Sequence, residues 1–302
     1  MKLYLTLLFF VSIAVSATVY EYIDNTGSAY AWKQGWMKSF KIHESCNATQ
    51  YNQLAAGLQD TIVVAQHARD HTLRYGRKSP FFKKYFGKKT PTAPVIGVFG
   101  IVADGDKSDL LFRCDDPDDK CRNEGWGGYW RGENGTNENN ICDLSFLTRQ
   151  SLPQMCSQGY TVTGSKASVQ WSGDLLHRLF HTQSAGEDQI DHYADSYEDI
   201  LELVAHNTSY TVKNTGSLIL YAMDVYAFDL TVPGVGCNGD KDFKIELTDG
   251  DDEEEEDNHD PDHDHDDEHD DGHGHDHDHG DDPTKTEGSS CHTHADGEVH
   301  CA

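Results

Sequence analysis

The stretch WSGDLLHRLFHT, from Trp171 to Thr182, sets His177 and His181 four residues apart inside an apolar-periodic run. On a helix, side chains at i and i+4 share one face about a turn apart, so both imidazoles can reach a single metal ion. A zinc protease writes this motif as H-E-x-x-H, with the glutamate as general base on the metal-bound water. Here that position is Arg178, which stays protonated and cannot accept a proton. The residues keep the metal-holding geometry and lack the usual catalyst, so no catalytic residue is assigned. Packing alone could also place two histidines on a partly buried helix, and the choice turns on the rest of the chain.

A two-histidine helix needs a third ligand from a later element to hold zinc with one position open. Glu187 to Ala205, EDQIDHYADSYEDILELVA, reads as a helix that offers His192 first and Asp191 second, with Asp188 and Asp195 alongside. A helix with acids on its wet face is the competing reading. A second i,i+4 pair, His67 and His71 in HARDH, closes a long helix that runs from Asn47 to Arg74. A helix end favours cations, so exposed histidines there need no metal.

The richest concentration of imidazole lies near the C-terminus. Residues 249–282 hold 20 acidic residues, no Lys or Arg, and eight histidines. Within them His263, His265, His273, His275, His277 and His279 alternate with carboxylates, a composition that suits Zn2+ and also Cu2+ or Ni2+. The chain closes with CHTHADGEVHC, which gathers His292, His294 and His300 between Cys291 and Cys301. A Cys291–Cys301 bridge would make this a small ring; alternatively both thiolates ligate zinc.

Residues 1–17 read as a secretory signal peptide: Lys2, a short apolar run, and an exit at Ser16-Ala17. The expected destination is outside the cell, where the eight cysteines (Cys46, Cys114, Cys121, Cys142, Cys156, Cys237, Cys291 and Cys301) can form up to four disulfides. Acceptor sequons at Asn47, Asn134 and Asn207 fit glycosylation on that route. No second apolar segment suggests a membrane anchor.

Of the net charge of −28, the tail carries 20 units. The remainder is an ordinary acidic globule that disfavours nucleic acid as a partner. Eight of the 24 basic residues lie between Arg69 and Lys89, interleaved with aromatics; the mixture could grip nucleic acid or sulfated sugars, but in an acidic secreted chain it better suits a surface loop or a dock for the protein's own acidic tail. The implied organisation is one domain over 18–248, a disordered acidic tail over 249–290 and a Cys/His ring over 291–302.

The positioning elements follow from pattern. An extended arm begins near Thr18 and turns at Asn25-Thr26-Gly27. Leu54, Leu58, Ile62, Ala65 and Ala68 mark the long helix, capped by Asn47 or Thr49. PVIGVFGIVA, residues 94–103, reads as a buried strand pairing with 109–114. The Gly-, Asn- and Asp-rich run from Cys114 to Cys142, with Trp126, Tyr129 and Trp130, reads as a loop too polar for core and pinned by Cys114 and Cys121. Residues 141–147 read as another strand, and 217–231 as a last apolar helix.

The signal peptide, H-R-L-F-H, the acidic H-x-H tail and the terminal CHTHADGEVHC together resemble the fungal pH-regulated antigen, or zincophore, family, whose secreted H-R-x-x-H members are related to deuterolysin-type metalloproteases. The resemblance covers the whole mature chain and matches at His177, Arg178, His181 and the terminal ring; it does not fix the third core ligand. It implies a zincin-like, helix-rich α+β single domain. It also implies zinc capture when zinc is scarce, delivery to a cell-surface zinc transporter, and partial retention at the cell wall. Host contacts, complement regulators and a leukocyte integrin among them, come from the resemblance alone. Imidazole must be neutral to bind metal and has an unperturbed pKa of about 6.5, so such a collector works at neutral or alkaline pH. Two other classes stay open: a zinc metalloprotease acting on host proteins, with Glu187 or Asp188 replacing the missing base, and an adhesion or complement-evasion antigen whose metal is structural. Homo-oligomer formation is also open.

Overall fold

A single long helix sets the frame, because its apolar positions recur on more than one face and must be covered by several neighbours. In the computed structural model, residues 21–23, 31–186 and 189–245 are described, with the backbone of 291–293 and 299–301. Residues 1–17 read as a signal peptide, the expected turn at Asn25-Thr26-Gly27, the whole acidic tail over 249–290, Glu187 and Asp188 lie outside the described residues. Helix α1 (Ala48–Tyr75) starts at a capping box. The Asn47 side chain accepts the N–H groups of Thr49 and Gln50 at 2.9 and 3.0 Å, and Gln50 Oε1 accepts Asn47 N–H at 2.9 Å. Leu54, Leu58, Val64, Ala65 and Ala68 are buried.

Helix α2 (Pro80–Phe86) begins at Ser79, whose hydroxyl accepts the N–H of Phe82, and buries Phe81, Phe82, Tyr85 and Phe86. The run expected to be a strand over 94–103 is instead helix α3 (Ala93–Asp104), with Val95, Phe99 and Val102 buried along one stripe. A continuous apolar run has no polar positions to reveal its period, and Pro94 in the first helical turn is the favourable place for a residue without an N–H. Packing on α1 therefore decided the outcome.

Four short strands form one sheet: β1 (Lys41–Ile42), β2 (Leu111–Arg113), β3 (Gly128–Trp130) and β4 (Glu138–Ile141). Their order is β1-β2-β4-β3, with β2 parallel to β1 and β4, and β3 antiparallel to β4. β2 thus pairs with β1 and β4, not with residues 94–103. The strand expected over 141–147 ends at Ile141, and the chain enters α4 (Asp143–Thr148). The run between Cys114 and Cys142 is not free of core: Trp126, Tyr129 and Cys142 bury one another in a small satellite cluster.

Three disulfides staple these parts: Cys46–Cys114, Cys121–Cys142 and Cys156–Cys237. Cys114 and Cys121 are therefore each tied elsewhere and do not pin one loop together. The three glycosylation acceptors Asn47, Asn134 and Asn207 are exposed.

Helix α5 (Trp171–Phe180) packs against α1. The helix expected over 187–205 is shorter: residues 189–195 form a loop, and α6 (Tyr197–His206) starts at a Ser196 capping box. The loop leaves the helical path because Asp191 is hydrogen-bonded by backbone to Lys213 and Thr215. Then follow α7 (Thr208–Thr211) and α8 (Thr215–Tyr226), which runs on into a π-helical turn over Ala227–Thr231. At the C-terminus β5 (Cys291–Thr293) and β6 (Val299–Cys301) pair antiparallel, with Cys291 opposite Cys301 and His292 opposite His300. The tail histidines from His263 to His279, and His294, lie outside the described residues. The architecture is helix-rich α+β, and no described helix is long and apolar enough to cross a membrane.

Helices α1 and α5 touch through Gly57, where an added Cβ would sit 3.0 Å from Trp171 Cβ and Cγ. Gly57→Val should cost about 1–3 kcal/mol by overpacking that contact. Urea unfolding followed by tryptophan fluorescence checks it; unchanged stability would mean that the two helices do not meet there.

Candidate metal centre

Helix α5 carries His177 and His181 on one face, as their spacing requires. Their Nε2 atoms lie 3.0 Å apart. The loop before α6 brings His192, whose Nε2 is 3.3 Å from His181 Nε2. The three ring nitrogens lie within 4.8 Å of one another. A tetrahedral zinc with Zn–N of about 2.0–2.1 Å has ligand nitrogens roughly 3.3–3.4 Å apart, close to both measured edges.

Proton bookkeeping supports the same assignment. His192 Nδ1 lies 2.8 Å from Asp195 Oδ1. The carboxylate can only accept, so Nδ1 carries hydrogen, and a neutral His192 ring presents a lone pair at Nε2. Two lone pairs cannot bond each other, and the single Nε2 of His181 faces both neighbours. A cation held between the three nitrogens resolves the crowding. The residues present therefore fit zinc, with His177, His181 and His192 as its holders.

The surrounding chain fixes these rings. Asn214, fully buried, accepts the backbone N–H groups of Tyr193 and Ala194 on Oδ1, both at 2.9 Å. Its Nδ2 donates to Ala194 O and Ser217 Oγ, both at 3.0 Å. It thus ties the His192 loop to the start of α8. Trp130, from β3, stacks on His181 with ring planes 16° apart. Asp191, the second ligand choice, uses its carboxylate to accept the N–H of His192 at 2.7 Å and stands outside the nitrogen cluster.

Arg178 is drawn into a buried ion network. Its Nε and Nη2 donate to Asp174 at 3.2 and 3.0 Å, and Arg149 Nη2 donates to the same carboxylate at 3.3 Å. Gly128 leaves room for this guanidinium: with φ at +155°, a Cβ there would fall 2.3 Å from Asn140 O and 3.0 Å from Arg178 Nη1. A cleft of about 390 Å³, lined among others by Asp174, His177, His192, Asp195 and Tyr197, opens beside the centre.

A second cluster joins His67 and His71 of α1 to Asp229 in the π-helical turn. Asp229 Oδ2 lies 2.8 Å from His67 Nε2 and 2.7 Å from His71 Nδ1. His71 Nε2 is 2.9 Å from Ser79 Oγ. Burial alone would raise the Asp229 carboxyl, but the hydrogen bonds with both histidines outweigh it and hold it well below the usual carboxylate range. These histidines are paired, not loose cations at a helix end. Nothing local in the sequence pointed to Asp229, to Asn214 as a clamp, or to Trp130 as a ring neighbour.

The family model described as "HRXXH: Putative peptidase family" matches residues 2–240. The pH-regulated antigen PRA1 of Candida albicans is 56% identical over 234 residues, covering 78% of this chain and 78% of the relative. The major allergen Asp f 2 of Aspergillus fumigatus is 47% identical over 293 residues, covering 96% and 92%. A zinc peptidase from Grifola frondosa aligns with a TM-score of 0.44 at 16% identity, over 59% of this chain and 96% of that one. By the extent of the family match and the identity to these antigens, the chain belongs to the HRXXH family.

Proposed function

We propose that this chain is a secreted zinc-binding protein, a zincophore, that captures extracellular zinc at neutral or alkaline pH and hands it to a zinc transporter at the cell surface. The observation that carries the reading is the triangle of His177, His181 and His192 nitrogens with edges of 3.0 and 3.3 Å, built without a general base. The sequence adds the tail histidines and the ring histidines His292, His294 and His300 as further, weaker sites. Copper or nickel would compete best there, since chelate geometry is least constrained. The relatives' names, an antigen and an allergen, fit exposure at a host interface, and the complement and integrin contacts implied by the resemblance belong to this proposal.

The family's peptidase description and the cleft beside the centre favour a second reading, zinc-dependent hydrolysis. Its weakness is the base. Arg178 holds its protons, Asp174 is neutralised by two guanidinium groups, and Asp195 is engaged on His192. Chelator-sensitive cleavage by pure protein that is lost in His177→Ala would establish it; no cleavage leaves binding.

Calorimetric zinc titration tests the first reading. The full chain at pH 7.4 should take up several ions and release most by pH 5, because a protonated imidazole cannot ligate. His181→Ala should remove the tightest ion and leave the weaker ones. Deleting residues 249–302 should lower the stoichiometry and keep the tightest ion; an unchanged stoichiometry would contradict the role of the tail.

Asn214→Ala leaves the N–H groups of Tyr193 and Ala194 and the Ala194 carbonyl without their side-chain partner. It should cost about 1–3 kcal/mol of stability and weaken the tightest site by freeing the His192 loop. Undiminished zinc affinity in this variant would show that the loop is held by other contacts.

A further inference from the structure

The longest stretch of the described chain without an acidic residue is 71–103, and it carries Arg74, Arg77, Lys78, Lys83, Lys84, Lys88 and Lys89. Lys84 points inward, 3.8 Å from the buried Asp224. The other six are exposed. Arg74, Arg77, Lys83, Lys88 and Lys89 have no ion-pair partner among the described residues, whereas Arg69, Arg113, Arg131 and Arg178 are each matched to carboxylates. In a chain of net charge −28, unmatched cations gathered around α2 call for an anionic occupant.

The end of the described domain lies beside this face. The Phe243 ring packs 5.5 Å from Phe81 of α2, and Lys84 Nζ stands 3.9 Å from the Phe243 ring centre. Ile245 also packs against the core. Asp249, the first residue of the acidic run, is four residues further along, within roughly 13 Å of chain. The run from 249 to 282 carries 20 carboxylates and no Lys or Arg. Tethering at that distance gives an effective concentration on the order of millimolar, which a free polyanion would have to exceed.

We propose that the acidic tail, residues 249–282, docks in cis on the basic face formed by the end of α1, by α2 and by the Lys88-Lys89 turn. The attraction is between many exposed charges, so it is adjustable and salt-sensitive. It is also linked to metal. Each zinc ion taken up by the tail cancels two of its negative charges and weakens docking; by reciprocity, docking lowers the tail's affinity for zinc. The basic face thereby sets how tightly the tail holds metal, and an unloaded tail is kept close to the domain. This goes beyond zinc capture, which assigns no role to the basic face.

Zero-length carbodiimide coupling of the full-length chain, read by peptide mass spectrometry, tests the docking itself without reference to transport. At about 0.02 M salt, Lys83, Lys88 and Lys89 should couple to tail carboxylates several-fold more than the exposed Lys38 does, and the preference should vanish at about 0.5 M salt. Mixing isotopically heavy and light chains separates copies: links within one chain support the proposal, and links chiefly between chains overturn it. Equal coupling of Lys38 and the α2 lysines also overturns it. Heparin gives an independent arm. The full chain should be retained several-fold less than a full-length variant whose tail acids are changed to amides, and equal retention would show that the face stands open for sulfated polysaccharide. Replacing Arg77, Lys83, Lys88 and Lys89 by Gln should raise tail zinc affinity several-fold with the core site unchanged; no change would overturn the linkage.

Discussion

Three imidazole nitrogens that converge on one point, with two of their separations 3.0 and 3.3 Å, are the constraint around which this protein is arranged. Lone pairs that converge in this way repel unless a proton or a metal stands between them, so the fold has to hold the rings against their own electrostatics. It does so with rigid supports. Helix α5 is pressed onto α1, the His192 loop is clamped by a fully buried Asn214, and Asp195 fixes which nitrogen of His192 faces the centre. Preorganisation of this kind, with a carboxylate behind an imidazole, is how a protein raises metal affinity without adding a ligand.

The place where a protease would keep its base shows how a fold can reassign a position. Arg178 could have been an exposed, idle cation. Instead Asp174, one turn earlier on the same helix, and Arg149 draw it into a network with no solvent around it. Removing one member of such a buried group leaves an uncompensated charge, which is far costlier than loss of a surface pair. Arg178 is therefore held as a structural residue under the sheet, with Gly128 making the space it needs.

The second histidine cluster and the charged surface around α2 are neighbours in space, since His71 touches both Ser79 and Phe81. The two charged regions of the described domain are thus different in kind. One is a fixed nitrogen triangle beside a cleft. The other is a cation-rich face beside Phe243, close to the last described residue of the domain, Ile245.

The sequence by itself determined the local chemistry. An i,i+4 histidine pair needs only helical periodicity, so His177 and His181 were legible, as was the missing base at Arg178. His192 was legible as a candidate though not its loop setting, because a run of acids and apolar residues reads as helix until a neighbour such as Lys213 or Thr215 captures its backbone. The long helix α1 and its Asn47 cap were legible for the same local reason. What only the tertiary structure decided was everything that depends on contacts between distant segments. The run 94–103 became a helix because uniform apolarity carries no period, and packing against α1 chose the form. Tyr129 and Trp126 found a small core of their own against Cys142, although their neighbours in sequence are polar. Asp229 lies 158 residues from His71, and no pattern along the chain can announce a partner that far away; the hydrogen bond exists because the fold spends packing energy to bring the two ends together.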